Sequence, residues 1–168
     1  MALQRSLALA AGVRPRVVPT RFGDVAALVR RRDDDGAPIV CVHGFGGDKE
    51  TWLLMALRLA RRRSVVMLDL LGHGGSAEVV GREASPGRYA AAITAALDGL
   101  GIHRAVLVGN SLGGGVALRL AHDAPDRVAA MVLVASVAPS SAHSETVAAW
   151  RRGDNPLIPG DTEADHRA

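Results

Sequence analysis

A serine lies among glycines in "GNSLGG", residues 109–114, where an apolar run changes from strand-like to helical rhythm. The order Gly109-Asn110-Ser111-Leu112-Gly113 suits a chain that leaves a strand and enters a helix with no loop between. Such a corner forces its central residue into a strained conformation and lifts that side chain above the sheet edge. Only tiny neighbours two positions to either side avoid a clash. The helix that follows points its N-terminus at the serine oxygen, where negative charge is favoured. Its first turn leaves backbone donors without intrahelical partners, Leu112 N–H among them. Ser111 is therefore the candidate nucleophile, and Leu112 offers one donor to the oxyanion that attack on a carbonyl would create.

A second glycine loop can offer the other donor. In "VHGFGGDKETW", residues 42–52, His43-Gly44 closes a strand, and Phe45 or Gly46 can present an N–H to the same spot. A third loop, "DLLGHGGS" at residues 69–76, uses glycines 72, 74 and 75 to cross the carboxyl edge of the sheet, where open parallel sheets bind ligands.

The elements that must position these loops alternate along the chain. "PIVCVHG", "SVVMLDLLG", "RAVLVGN" and "RVAAMVLVAS" read as short buried strands. Between them, "DKETWLLMALRLARR" has helical spacing with Asp48 as N-cap, and "SPGRYAAAITAALDGLG" starts at Ser85-Pro86 and stops at Gly99 or Gly101. "LGGGVALRLAHDAP" is the helix after the serine. Strands apolar on both faces and separated by helices predict an α/β fold with a mainly parallel sheet covered on both sides. Upstream, "RVVPTRFGDVAALVRR" reads as an antiparallel hairpin at the sheet edge, with its turn at residues 22–24. After Ser136 the composition shifts to small, polar and proline residues, with at most one helix near residues 145–152. No strand returns there, so the sheet reads as unfinished.

Composition narrows the function classes. Hydrophobic residues make up 48% of the 168, enough for a buried core, whereas aromatics at 3% argue against a base-stacking platform. The net charge of +3 comes from scattered arginines, with Lys49 the only lysine. The arginine triplets at residues 30–32 and 61–63 read as solvated ends of elements, so no nucleic-acid partner is expected. Cys41 is the single cysteine, which excludes an internal disulfide and a multi-cysteine zinc site and reads as a small core residue. No His/Asp/Glu spacing resembles a metal ligand set, and the glycine loops lack the marks of a P-loop or a dinucleotide fingerprint. No metal and no cofactor is expected. No apolar run reaches the roughly 18 residues needed to span a membrane. The opening "MALQRSLALAAGVRP" is too brief for a signal peptide and lacks a cleavage site, so the expected location is cytoplasmic.

Taken together, "HGFGGDKETW", "DLLGHGGS" and "GNSLGG" resemble the α/β-hydrolase fold, and more closely its bacterial lipases and monoacylglycerol-lipase-like esterases. The tail "RRGDNPLIPGDTEADHRA" is similar to the stretch that opens the lid of those enzymes. The resemblance implies that residues 1–136 are the N-terminal part of the hydrolase core, with its C-terminal strands missing, and that residues 137–168 begin a lid or cap. It implies Ser111 as nucleophile, the N–H groups of Phe45 and Leu112 as oxyanion hole, and Gly44, Asn110 and Trp52 around the substrate pocket. The family's triad runs in the order serine, acid, histidine, with the last two beyond the lid. Acid and base are thus expected outside these 168 residues, and this chain alone is expected to turn over esters poorly.

The histidines present offer no ready substitute. His43 reads as structural, bonding loop backbone; His73 as a spacer; His103 and His122 as surface residues. Ser111, Asp161 and His166 occur in triad order, as His143 and Asp154 also follow the serine, but all of these partners sit in the polar tail. Asp69 reads as tying down the backbone of its own loop. The resulting expectation is hydrolysis of a small-molecule or lipid ester through an acyl-enzyme. Hydrolysis of a carbon–carbon bond, or a non-catalytic gene fragment or binding remnant, stand as alternatives.

Overall fold

The computed structural model describes residues 2–33, 36–79 and 84–137. Six strands form one sheet in the order β1-β2-β4-β3-β5-β6. They are β1 (Arg14–Val18), β2 (Val25–Arg30), β3 (Ile39–Val42), β4 (Val65–Leu68), β5 (Ala105–Asn110) and β6 (Val128–Val134). The expected hairpin is present. β1 pairs antiparallel with β2 and forms the sheet edge, and β2 pairs antiparallel with β4. The other four run parallel: Ile39 stands beside both Val65 and Val106, and Val42 beside both Leu68 and Gly109. Those registers bring the ends of β3, β4 and β5 to one edge, so the three glycine loops leave the sheet side by side.

Alternation of side chains explains why both faces are covered. Val40, Val42, Val66, Leu68 and Leu107 point into one core layer. Its helical wall is α3 (Pro86–Gly99) and α4 (Leu112–Asp123), through Ile93, Leu97, Val116 and Leu120. Cys41, Val65, Met67 and Val108 point the other way, against Leu53 and Ala56 of α2 (Leu53–Leu59). Ser85 caps α3 by accepting the Arg88 N–H, with Pro86 in the first turn, as the sequence suggests. The helix expected from Asp48 begins as a 3-10 turn, Lys49–Trp52, and becomes α-helical only at Leu53. There the carboxylates of Asp48 and Asp69 accept the Glu50 and Lys49 N–H groups, which a first helical turn leaves without intrahelical partners.

The N-terminal stretch, too brief for a signal peptide, is a helix, α1 (Ala2–Ala11). Leu7, Ala8 and Ala11 give it an apolar side that packs on the α2 layer, and Gly12, at φ 65°, ends it. Among the described residues no helix is long and apolar enough to cross a membrane. At the opposite side of the sheet β6 pairs with β5 and is the last strand among the described residues. Met131, Val132, Leu133 and Val134 on it are exposed. The helix expected near residues 145–152, the lid segment from residue 138 onward, and His143, Asp154, Asp161 and His166 lie outside the described residues.

Candidate active site

The corner between β5 and α4 is a direct strand-to-helix turn. Ser111 occupies it with φ 50° and ψ −114°, a region that side-chain-bearing residues rarely enter. Tight approach holds it there. A methyl group added at Gly109 would stand 2.5 Å from the Gly113 carbonyl oxygen and 2.6 Å from Gly114 Cα. One added at Gly113 would run into the Val42 carbonyl and lie 2.5 Å from that of His43. The glycines on either side thus let β5, α4 and the end of β3 close on one another. Hydrogen bonds fix the corner further: Ser111 N–H donates to Val134 O at 2.9 Å, and Gly114 N–H to Ser111 O at 3.0 Å. Ser111 itself is half-buried.

The loop after β3 passes directly beside that corner. A methyl group on Gly44 would lie 3.2 Å from Ser111 Cβ and 3.4 Å from Asn110 O, so Gly44, Asn110 and Ser111 form one contact group. The loop then turns sharply, with Gly47 N–H donating to Gly44 O at 3.1 Å and Gly46 at φ 71°. Phe45, at the apex side of this turn, is 50% exposed, and its ring meets the His73 ring edge-on at 5.9 Å.

His43 is fully buried beneath the loop. Its Nδ1–H donates to Gly44 O at 2.7 Å, and its Nε2 accepts the Leu70 N–H at 3.0 Å, an arrangement that requires the neutral ring. Burial pulls the imidazole below its ordinary pKa, and the neighbouring His73 ring, 5.2 Å away, adds to that. The backbone-bonding role read from the sequence is the one seen. Asp69 is fully buried as well, and it does more than its own loop requires. Its carboxylate accepts the Gly75 N–H at 2.8 Å within that loop, then reaches the neighbouring loop to accept Lys49 N–H at 2.6 Å and Lys49 Nζ at 2.7 Å. Burial alone would lower the Lys49 pKa, but the hydrogen bond and charge of Asp69, helped by Glu50, outweigh it and hold the ammonium above its ordinary range.

Trp52 closes the 3-10 turn that precedes α2. Its side chain is buried, in the core cluster that also holds Leu28, Cys41, Leu53 and Ala56. Cys41 is a core residue as read, its thiol pushed up to about 12 by burial and therefore inert. His103 and His122 are exposed. The Lys49–Asp69 link was not read from the sequence; the one signal for it is the chain's single lysine placed five residues after Gly44.

Comparison with known proteins places this arrangement. A family model described as alpha/beta hydrolase fold matches residues 37–166. The chain is 46% identical over 103 residues to the dihydrolipoyllysine-residue acetyltransferase component of the acetoin cleaving system of Pseudomonas putida, a match covering 61% of this chain and 28% of that protein. It is 36% identical over 139 residues to the 2-hydroxymuconate semialdehyde hydrolase of Pseudomonas sp. (strain CF600), covering 79% of this chain and 48% of that one. Among solved structures it resembles a membrane phospholipase A described as a novel bacterial virulence factor, with a TM-score of 0.81 and 30% identity, over 94% of this chain and 51% of that chain. The chain therefore spans about half the length, or less, of the proteins it matches.

Proposed function

The chain belongs to the α/β-hydrolase family, and from that premise we propose that it carries the nucleophile and oxyanion half of a serine hydrolase acting on carboxylic esters. The observation that supports this best is the strained Ser111, standing at a helix N-terminus with Gly44 against it. In the proposed reaction Ser111 Oγ attacks the ester carbonyl carbon, and the carbonyl π electrons move to oxygen. The N–H groups of Leu112 and Phe45 hydrogen-bond that oxyanion. Collapse of the tetrahedral species expels the alcohol and leaves an acyl-serine, which water then hydrolyses. The serine proton passes to a base and on to the leaving alcohol. By the family resemblance that base is a histidine C-terminal to the lid, paired with an acid. Gly44 and Asn110 would border the acyl site. The resemblance to a phospholipase A favours an acylglycerol or other lipid-like ester.

A second reading has its own support. The similarity to a 2-hydroxymuconate semialdehyde hydrolase would suit hydrolysis of a carbon–carbon bond on the same Ser111 corner. Exposure to excess p-nitrophenyl acetate, followed by peptide mass spectrometry, tests the ester reading on this chain. Slow addition of one acetyl group at Ser111, absent from Ser111→Ala, is the expected result. No acetyl group at Ser111 would contradict it.

A further inference from the structure

We propose that Asp69 is a positioning residue for the loop at residues 44–49, acting through Lys49 to hold the Phe45 N–H beside Ser111. The inference rests on the oxyanion role proposed for Phe45. The loop is gripped at both ends by two consecutive residues that leave β4. At its near end, the His43 ring bridges Gly44 O and the Leu70 N–H. At its far end, Asp69 accepts both the main-chain N–H and the ammonium of Lys49. The residues that grip are themselves braced. Asp69 N–H donates to Ala26 O, Ser76 Oγ donates to Asp69 O and accepts the Ala26 N–H, and Ala77 N–H donates to Asp24 O. Force on the loop is thus passed to β2, one strand in from the sheet edge.

The glycine spacing of "DLLGHGGS" serves the same end. Gly74, at φ 55°, leaves the space the carboxylate fills, since a methyl group there would lie 2.7 Å from Asp69 Oδ1. Gly75 then supplies a main-chain donor. A buried carboxylate and a mostly buried ammonium cost desolvation energy, and a pair of apolar side chains often gives equal or greater stability. What apolar side chains cannot reproduce is the main-chain hydrogen bond to Lys49, which fixes where the loop ends. Between the two anchors the His73 ring rests against Phe45.

The test uses the 168-residue chain, with Asp69→Leu, Lys49→Met, the double variant and Lys49→Arg. The double variant removes both charges together and is expected to keep the wild-type melting temperature within a few degrees. Amide hydrogen exchange over residues 45–49 should nonetheless quicken at least tenfold in it, while Val40 and Leu107 in the sheet change less than twofold. The rate constant for acetylation of Ser111 by p-nitrophenyl acetate should fall about 10- to 100-fold, with the half-saturating ester concentration unchanged. Lys49→Arg should restore most of both. Unchanged exchange at residues 45–49, or an equal rise throughout the sheet, would overturn the proposal. Absence of acetylation in the unsubstituted chain would count against the ester reading alone, because the exchange measurement still decides the positioning role.

Discussion

Gly44 lies against Ser111 so closely that a methyl group on it would stand 3.2 Å from Ser111 Cβ. Two loops that leave different strands are thereby brought to one place. Ser111 cannot retreat, because its backbone is pinned between β6 and α4. The loop can, so any side chain at residue 44 should push the Phe45 N–H outward. Gly44→Ala is expected to slow acetylation of Ser111 at least tenfold. The melting temperature should move little, since the strain is relieved into an exposed turn. Acetylation at the unsubstituted rate would show that the loop position does not matter.

The conformation of Ser111 makes a stability prediction that separates side chain from backbone. A non-glycine residue at φ 50° carries strain of about 1–2 kcal/mol. Ser111→Gly should therefore be more stable than Ser111→Ala by about 1 kcal/mol in urea unfolding, although neither can be acetylated at residue 111. Equal stability of the two variants would mean that the corner is relaxed. At Gly113 the opposite holds. Gly113→Ala forces a methyl group against the carbonyls of Val42 and His43 and should cost about 3 kcal/mol or prevent folding.

His43 sets a pH dependence. Its folded pKa lies below the ordinary value of 6.5 because burial disfavours the charged ring. A base whose pKa is lowered by folding contributes stability above its unfolded pKa and loses it as pH falls below that value. Between pH 7.5 and 5.5 the unfolding free energy from urea titrations should drop, by up to about 1.4 kcal/mol per pH unit at the lower end. His43→Gln, which carries every other titrating group, should show a shallower decline. Parallel curves for the two proteins would contradict the neutral buried ring.

Exposed β6 makes a prediction about association. Met131, Val132, Leu133 and Val134 form an apolar strand at the edge of the described sheet, which is a template for pairing with another chain. Light scattering of the purified chain should show self-association that grows towards about 100 μM. Val132→Lys with Val134→Lys should reduce it. A monodisperse monomer at the upper concentration would show that this strand is satisfied in some other way.

Much of this architecture is legible in the sequence because its causes are local. β-branched runs bounded by glycine give β3, β4 and β5, and Ser85-Pro86 gives the start of α3, each from chemistry within a few residues. The corner at Ser111 is legible in part for the same reason, since the clash that selects Gly109 is with Gly113 and Gly114 close by in the chain, whereas the one that selects Gly113 is with the Val42 and His43 carbonyls at the end of β3. The helix α1 is hidden by an alanine- and leucine-rich composition shared with leader segments; only packing on α2 distinguishes it. The Asp69–Lys49 link spans twenty residues and exists only once β3 and β4 lie side by side.

The most direct test of the account is a transition-state mimic on the isotopically labelled chain. An alkylboronic acid should add to Ser111 as a tetrahedral boronate whose oxygen occupies the oxyanion position. The Phe45 and Leu112 amide resonances should then shift together, saturably, and neither should respond in Ser111→Ala. No shift at these two amides, or the same shift without the serine hydroxyl, would contradict the placement of an oxyanion site between the β3 loop and the start of α4.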